Sequence, residues 1–344
     1  MARKRRQAVI EPVEIALANR LKGQQHVIDA VAPYVTMHQA GLAPEGRPLG
    51  IFLLLGPSGT GKTKTVEALA EVIHGTEKHV LRIDCGEFQM EHEVAKLIGA
   101  PPGYLGHRET QPILTQQRLN GITSERSNIS LVLFDEIEKS ADSMRRILLG
   151  VFDKAALKLG DSNNVNFERS IIFLTSNLGA REMLNYLTPS MGFKQEGAET
   201  KPEEDLTKLH AIGLSAAKKK FSPEFINRID AIITYKPLSE EIINDILEIQ
   251  IEQLQHHIHR RLGSRAFNID INKQAKEFLI GKGVSKEFGA RELKRTIHKH
   301  LMQPLSAMVA AGKIMPQMLV RIGINKEKDG LKFYCKAPKT QAAV

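Results

Sequence analysis

Eight consecutive residues, Gly56-Pro57-Ser58-Gly59-Thr60-Gly61-Lys62-Thr63, have the types and spacing of a phosphate cradle. The glycines let backbone N–H groups converge on an anion, and a helix starting behind them adds the positive end of its dipole. Lys62 would reach the β- and γ-phosphates of a nucleoside triphosphate, and the Thr63 hydroxyl would hold Mg2+. A second constellation, Leu131-Val132-Leu133-Phe134-Asp135-Glu136, is an apolar run that ends in two carboxylates. At the C-terminal end of a buried strand, Asp135 would complete the Mg2+ shell through water and Glu136 would polarise the attacking water as general base. Its place about 70 residues after the loop gives this common pairing its meaning. A third run, Ile171–Thr175, ends in Ser176-Asn177. The Asn177 amide could orient water against the γ-phosphate, and simple turn chemistry is the other reading.

These residues need a parallel sheet to bring them together. Near-continuous apolar runs predict strands buried on both faces at Ile51–Leu55, Val80–Ile83, Leu131–Phe134, Ile171–Thr175 and Ile232–Tyr235. Helical patterns alternate with them, Val66, Leu69, Ala70 and Ile73 marking the helix behind the loop, so an α/β fold of three layers is expected. Between Gly179 and Phe221 the sequence turns polar, which reads as a long mobile excursion. After Pro237 the pattern becomes helical: one long helix over Glu240–Leu262, two more around Lys273–Lys282 and Ala290–Ala311, then strands at Leu319–Ile324 and Leu331–Cys335. The expected organisation is a basic tail at 1–10, a large α/β subdomain at 11–237, a small helical lid with short terminal strands at 238–336, and a tail at 337–344.

Bulk properties narrow the class. A chain of 344 residues has room for two packed cores, and 42% hydrophobic with 25% charged residues is ordinary for a globular protein. No run of about 18 apolar residues exists and no sustained apolar stretch follows the basic N-terminus, so neither a membrane helix nor a secretory signal is expected. The two cysteines, Cys85 and Cys335, lie far apart, which fits a reducing, cytoplasmic setting. The net charge of +9 leaves nucleic acid open as a partner, but no nucleic-acid module is recognisable and few aromatics could stack bases.

Further motifs stand in a fixed order: Gly99-Ala100-Pro101-Pro102-Gly103-Tyr104-Leu105-Gly106, Phe134-Asp135-Glu136-Ile137-Glu138-Lys139, Thr175-Ser176-Asn177-Leu178-Gly179, Pro223-Glu224-Phe225-Ile226-Asn227-Arg228-Ile229-Asp230 and Gly289-Ala290-Arg291. In these the chain resembles an AAA+ module of the Clp unfoldase and disaggregase family, most like the second ATPase ring of its double-ring members. The match runs from about Leu21 to about Gly312. The resemblance implies ATP and Mg2+ as cofactors and a ring of identical subunits, a hexamer, acting on protein. It implies that Leu21-Lys22-Gly23-Gln24 lies on the adenine side, that Asn177 is the first sensor and that Arg291 is the second. Arg228 matches the arginine finger that reaches a neighbour's γ-phosphate. Ser222 as N-cap and Pro223 as first helical residue would start a short helix that projects it, whereas an isolated arginine reads as a surface ion pair. Tyr104 and Leu105, bracketed by Gly103 and Gly106, match the loop that grips polypeptide in the central pore. Without the resemblance, a tyrosine buried under a turn is an equal reading.

The chain also departs from the family. Lys154–Asn164 has the length of a second pore loop but different charged and glycine positions. Only about twenty residues precede Leu21, so the expectation is a single module with no recruiting domain, first ring or middle coiled coil. Met191-Gly192-Phe193 lies where protease-partnered relatives carry a docking tripeptide; a peptidase or adaptor contact and a chance hydrophobic anchor are both open. His256, His257 and His259 lack carboxylate or cysteine companions and read as a solvated helix end. The expected function is ATP-driven remodelling or threading of polypeptide. The alternatives are a nucleic-acid-linked AAA+ ATPase and a nucleotide-switched scaffold with little turnover.

Overall fold

The computed structural model describes residues 12–99, 112–187, 202–283, 290–327 and 329–336, in two compact units: the first takes in the chain through Pro57 and Gly61–Lys236, the second Ser58–Thr60 and the chain from Pro237 onward. The first unit carries strands β1 (Gly50–Leu55), β2 (Leu81–Asp84), β3 (Ser130–Asp135), β4 (Ala156–Lys158), β5 (Asn164–Asn166), β6 (Ser170–Ser176) and β7 (Ala231–Thr234). Five of them form one parallel sheet in the order β2-β3-β6-β1-β7. Every residue of β1, β3 and β6 is buried, as apolar runs without alternation require, while edge strand β2 alternates buried and exposed. The register sets Leu55 beside Ser176 and Phe134 beside Leu174, so the C-terminal ends of the three central strands lie side by side. Ligands of open α/β sheets bind at such ends.

Successive side chains of a strand point to opposite faces, and the core divides accordingly. Phe52, Leu54, Leu131, Leu133, Ile171 and Phe173 pack against the helices Gln25–Gln39 and Lys62–His74 through Val27, Val31, Val66 and Leu69. Ile51, Leu53, Val132, Phe134, Ile172 and Leu174 pack on the other side with Met144, Leu148 and Val151 of the helix Asp142–Lys154 and with Phe225. The expected three layers are present.

The polar stretch after Gly179 is corrected at its two ends, which are the helices Ala180–Leu187 and Pro202–Lys220, while residues 188–201 lie outside the described residues. The second buries Leu209, Gly213 and Ala217, a seam of four-residue steps made mostly of small residues. Small residues hide such a seam from a hydrophobicity reading. The Lys154–Asn164 stretch forms much of the β4–β5 hairpin, turned at Asp161–Asn163, where Asp161 accepts from the Asn163 backbone N–H at 3.0 Å.

In the second unit the helix Glu240–Leu262 has its expected bounds. Ser239 accepts from the Ile242 N–H, acidic residues occupy the first turn and basic ones the last. Helices Lys273–Gly283 and Ala290–Ile297 follow, the latter passing through a π-helical turn, His298–Met302, into Gln303–Ala310. Pro304 lacks the N–H that would close on residue 300, and the widened turn falls just before it. Strands β8 (Asn268–Ile271), β9 (Leu319–Ile324) and β10 (Leu331–Lys336) form a mixed sheet in the order β10-β9-β8. Of these, β8 was not legible in the sequence. Leu247, Leu254, Leu293, Leu301, Val320 and Ile322 make this unit's own core. No described helix is long and apolar enough to cross a membrane.

Candidate functional site

The loop leaves β1 through Gly56, whose φ of 145° and closeness to Tyr235 both require glycine: a Cβ there would lie 3.0 Å from the Tyr235 Cβ. Gly59 and Gly61 also have positive φ, and Gly61 is the N-cap of the helix Lys62–His74. The backbone thus turns back over the helix N-terminus, as an anion cradle requires. Beneath it the Thr65 and Tyr235 hydroxyls are 2.6 Å apart, and burial pushes the Tyr235 phenol up. Lys62 is buried, and its Nζ donates to Gly56 O at 2.6 Å, Pro57 O at 2.9 Å and Asn177 Oδ1 at 2.9 Å. Pro57 and Ser58 lie in the turn between, Thr60 is buried, and Thr63 is half-buried in the first helical turn.

The carboxylates stand at the end of β3. Asp135 accepts from the Thr175 hydroxyl through Oδ1 and from the Arg82 guanidinium through Oδ2. Glu136 takes a left-handed conformation, φ 57° and ψ 48°, which turns the chain off the strand and is uncommon for a residue with a Cβ. Its N–H donates to Thr175 Oγ1 at 3.1 Å, so one threonine ties both acidic residues. The Glu136 side chain accepts from Asn177 Nδ2 at 3.4 Å and from Lys139 Nζ at 2.6 Å, a bond that raises the lysine pKa. The Asn177 N–H donates to Glu138 Oε1 at 3.0 Å. Burial first, then the Asp135, Asp84, Glu138 and Glu136 carboxylates, push the Cys85 thiol far up and leave it inert.

A cleft of about 530 Å³ opens between the two N-terminal helices and the end of β7, lined by Leu21, Lys22, Gly23, His26 and Lys236 among others. Beside it Gln24 ties to the Lys236 backbone, donating to Lys236 O at 2.8 Å and accepting from Lys236 N–H at 3.2 Å. His26 Nε2 lies 2.9 Å from Thr234 O, and burial lowers its pKa. Leu21 Cδ1 lies 3.7 Å from where a Gly61 Cβ would be, so the cleft adjoins the glycine loop.

Residues 47–232 match the family described as AAA domain (Cdc48 subfamily), and residues 238–322 match the C-terminal, D2-small domain of ClpB protein. The chain belongs to the ClpB family of AAA+ ATPases. It is 36% identical over 313 residues to the chaperone protein ClpB of Bdellovibrio bacteriovorus, covering 91% of this chain and 34% of that protein. With the ClpB of Enterococcus faecalis the identity is 37% over 308 residues, covering 90% and 33%. The chain therefore spans about a third of the length of these curated relatives. Solved structures similar to it include two of Hsp104. One is Hsp104 with ATPγS and FITC-casein in a closed state (TM-score 0.76, 27% identity, 93% of this chain and 51% of that one). The other is the Saccharomyces cerevisiae Hsp104:casein complex in an extended conformation (TM-score 0.77, 26% identity, 95% and 53%).

In this ClpB-family module two of the remaining sequence candidates are described, Arg228 in the first unit and Arg291 in the second. Ser222 does cap the short helix Pro223–Ile226, accepting from the Phe225 N–H at 3.3 Å. Arg228 follows it and bonds Asp153 Oδ1 at 2.5 Å, Glu224 O at 2.8 Å and Glu224 Oε1 at 3.3 Å. Arg291 is exposed in the first turn of the helix Ala290–Ile297 in the second unit. Gly103, Tyr104, Leu105 and Gly106 lie outside the described residues, as do Met191, Gly192 and Phe193. Sequence reading missed Thr175, Arg82, Lys139, His26 and Lys236. Thr175 carried a signal, since a hydroxyl among Ile171–Leu174 at a strand tip is out of pattern. Arg82 carried none beyond the polar position of an edge strand.

Proposed function

We propose that this chain is the ATP-hydrolysing module of a protein-remodelling motor that works as a ring of like subunits. The observation that carries the reading is the Asn177 side chain, which bonds both Lys62 (2.9 Å) and Glu136 (3.4 Å). One amide thereby joins a candidate phosphate-binding cation to a candidate base, the pair of groups that water attack on a γ-phosphate calls for. The residues fit ATP and Mg2+: three glycines of positive φ over a helix N-terminus suit the phosphates, and Thr63 with Asp135 offers oxygen donors for the metal. Bound MgATP supplies the phosphoanhydride to be cleaved and the charge of the metal. Glu136 holds the attacking water and takes its proton, Asn177 orients that water, and Lys62 neutralises phosphate charge. Leu21 and Lys22 border the base at their cleft. Arg291 from the small unit senses the nucleotide, Arg228 completes a neighbouring subunit's site, and Tyr104 grips polypeptide. Membership in the ClpB family and likeness to Hsp104 structures solved with casein support protein as the substrate.

The test is phosphate release by the full chain. Glu136→Gln should bind ATP and turn it over at least about 100-fold more slowly, as loss of a general base does. Wild-type turnover in that variant would overturn the assignment. Unfolded protein should stimulate hydrolysis in the wild type and not in Tyr104→Ala. Stimulation by DNA alone would instead favour a nucleic-acid-linked ATPase.

A further inference from the structure

We propose that Glu138 is a positioning residue for hydrolysis, acting through Asn177. The inference rests on the reading of Asn177 and Glu136 as hydrolytic residues. The ladder that holds β6 ends at Ser176, paired with Leu55, so the next backbone N–H, that of Asn177, leaves the sheet without a strand partner. Glu138 supplies the acceptor, its Oε1 lying 3.0 Å from that N–H. It stands on the turn Ile137–Lys139, directly after the left-handed Glu136, so one turn presents both the candidate base and the clamp on its partner. From that anchored backbone the Asn177 side chain reaches Lys62 and Glu136. Glu138 therefore sets where the amide sits without touching either of those groups.

The cost of the arrangement argues for function. Glu138 Oε2 is buried and finds no hydrogen-bond partner among the described residues. A desolvated carboxylate oxygen without a partner is destabilising. Asp84, Asp135 and Glu136 gather with Glu138 around buried Cys85, and the Lys139 charge offsets only part of this crowding, its bond going to Glu136. An uncharged acceptor would secure the fold with less cost. What Glu138 offers in return is a short, rigid hold on Asn177.

The experiment compares side chains of similar volume in the full chain. Glu138→Gln keeps an acceptor for the Asn177 N–H, whereas Glu138→Met removes it; Glu138→Ala is a second acceptor-free variant should the Met variant not fold. The acceptor-free variant should lose about tenfold or more in kcat with KM for ATP changed less than about threefold, the pattern of a misplaced outer partner. Glu138→Gln should restore most of that rate. In an Asn177→Ala background, Glu138→Met should cost nothing more, because its route is already cut. The proposal is overturned if the acceptor-free variant keeps the wild-type rate, if Gln is as poor as Met, or if the two losses add in full. Glu136→Gln is run alongside. If it is inactive while Glu138→Met is unaffected, only the positioning inference fails; if it turns over normally, the hydrolytic reading fails first.

Discussion

Thr175 shows how much one buried hydroxyl can hold: it donates to Asp135 and accepts from the Glu136 backbone. Thr175→Val keeps the shape and leaves both groups short of a partner. Stability to urea should drop by about 1–3 kcal/mol, the cost of unmaking a buried bond. ATP turnover should fall with it, because Asp135 and Glu136 are aimed through the same atom. His74 gives a second prediction at this scale. It closes the helix Lys62–His74, its Nδ1 is 2.9 Å from Ser124 Oγ, and its ring stacks on His79. Burial, then the His79 charge, lowers its pKa from 6.5 to about 4. The folded state therefore refuses a proton that the unfolded chain accepts. The stability contribution is complete above about pH 6.5 and is lost as the pH falls through about 4. In His74→Leu, denaturation midpoints across that range should depend less steeply on pH.

Two helices carry the predictions that belong to elements. In the helix Pro202–Lys220, a Cβ on Gly213 would sit 2.8 Å from Met183 Cε and 3.2 Å from Leu55 Cδ1. Gly213→Leu should therefore destabilise by about 1–3 kcal/mol through overpacking, measured by thermal unfolding. Were that segment a loose excursion, the substitution would be silent. The short helix Pro223–Ile226 depends on its cap, so Ser222→Ala should cost about 1 kcal/mol. It should also loosen the Phe225 anchor that precedes Arg228, and ATPase activity should fall further than stability alone explains.

At the scale of the molecule the question is whether one copy suffices. Within its own subunit Arg228 is spent on Asp153 and Glu224. If it serves a neighbouring site, Lys62→Ala and Arg228→Ala chains should each be inactive and a mixture of the two should recover activity. In such a mixture some interfaces join an intact loop to an intact arginine. Absence of complementation, with both variants folded, would remove the shared-site reading. Specific activity of the wild type should likewise rise with protein concentration until rings are complete.

The sequence alone determined the phosphate loop, the carboxylate pair and the three central strands. These are local: glycine spacing, an apolar run and the residue at its tip depend on a few neighbouring positions. The long helix Glu240–Leu262 was legible to its ends for the same reason, since its cap and terminal charges lie within its own turns. The tertiary structure alone decided which side chains meet. Thr175, Arg82 and Glu138 gained their partners from the register of β2, β3 and β6 and from the turn after Glu136. The seam of Leu209, Gly213 and Ala217 became visible only against Met183 and Leu55. Contacts across strands and layers join residues dozens of positions apart, and no spacing within the chain records them.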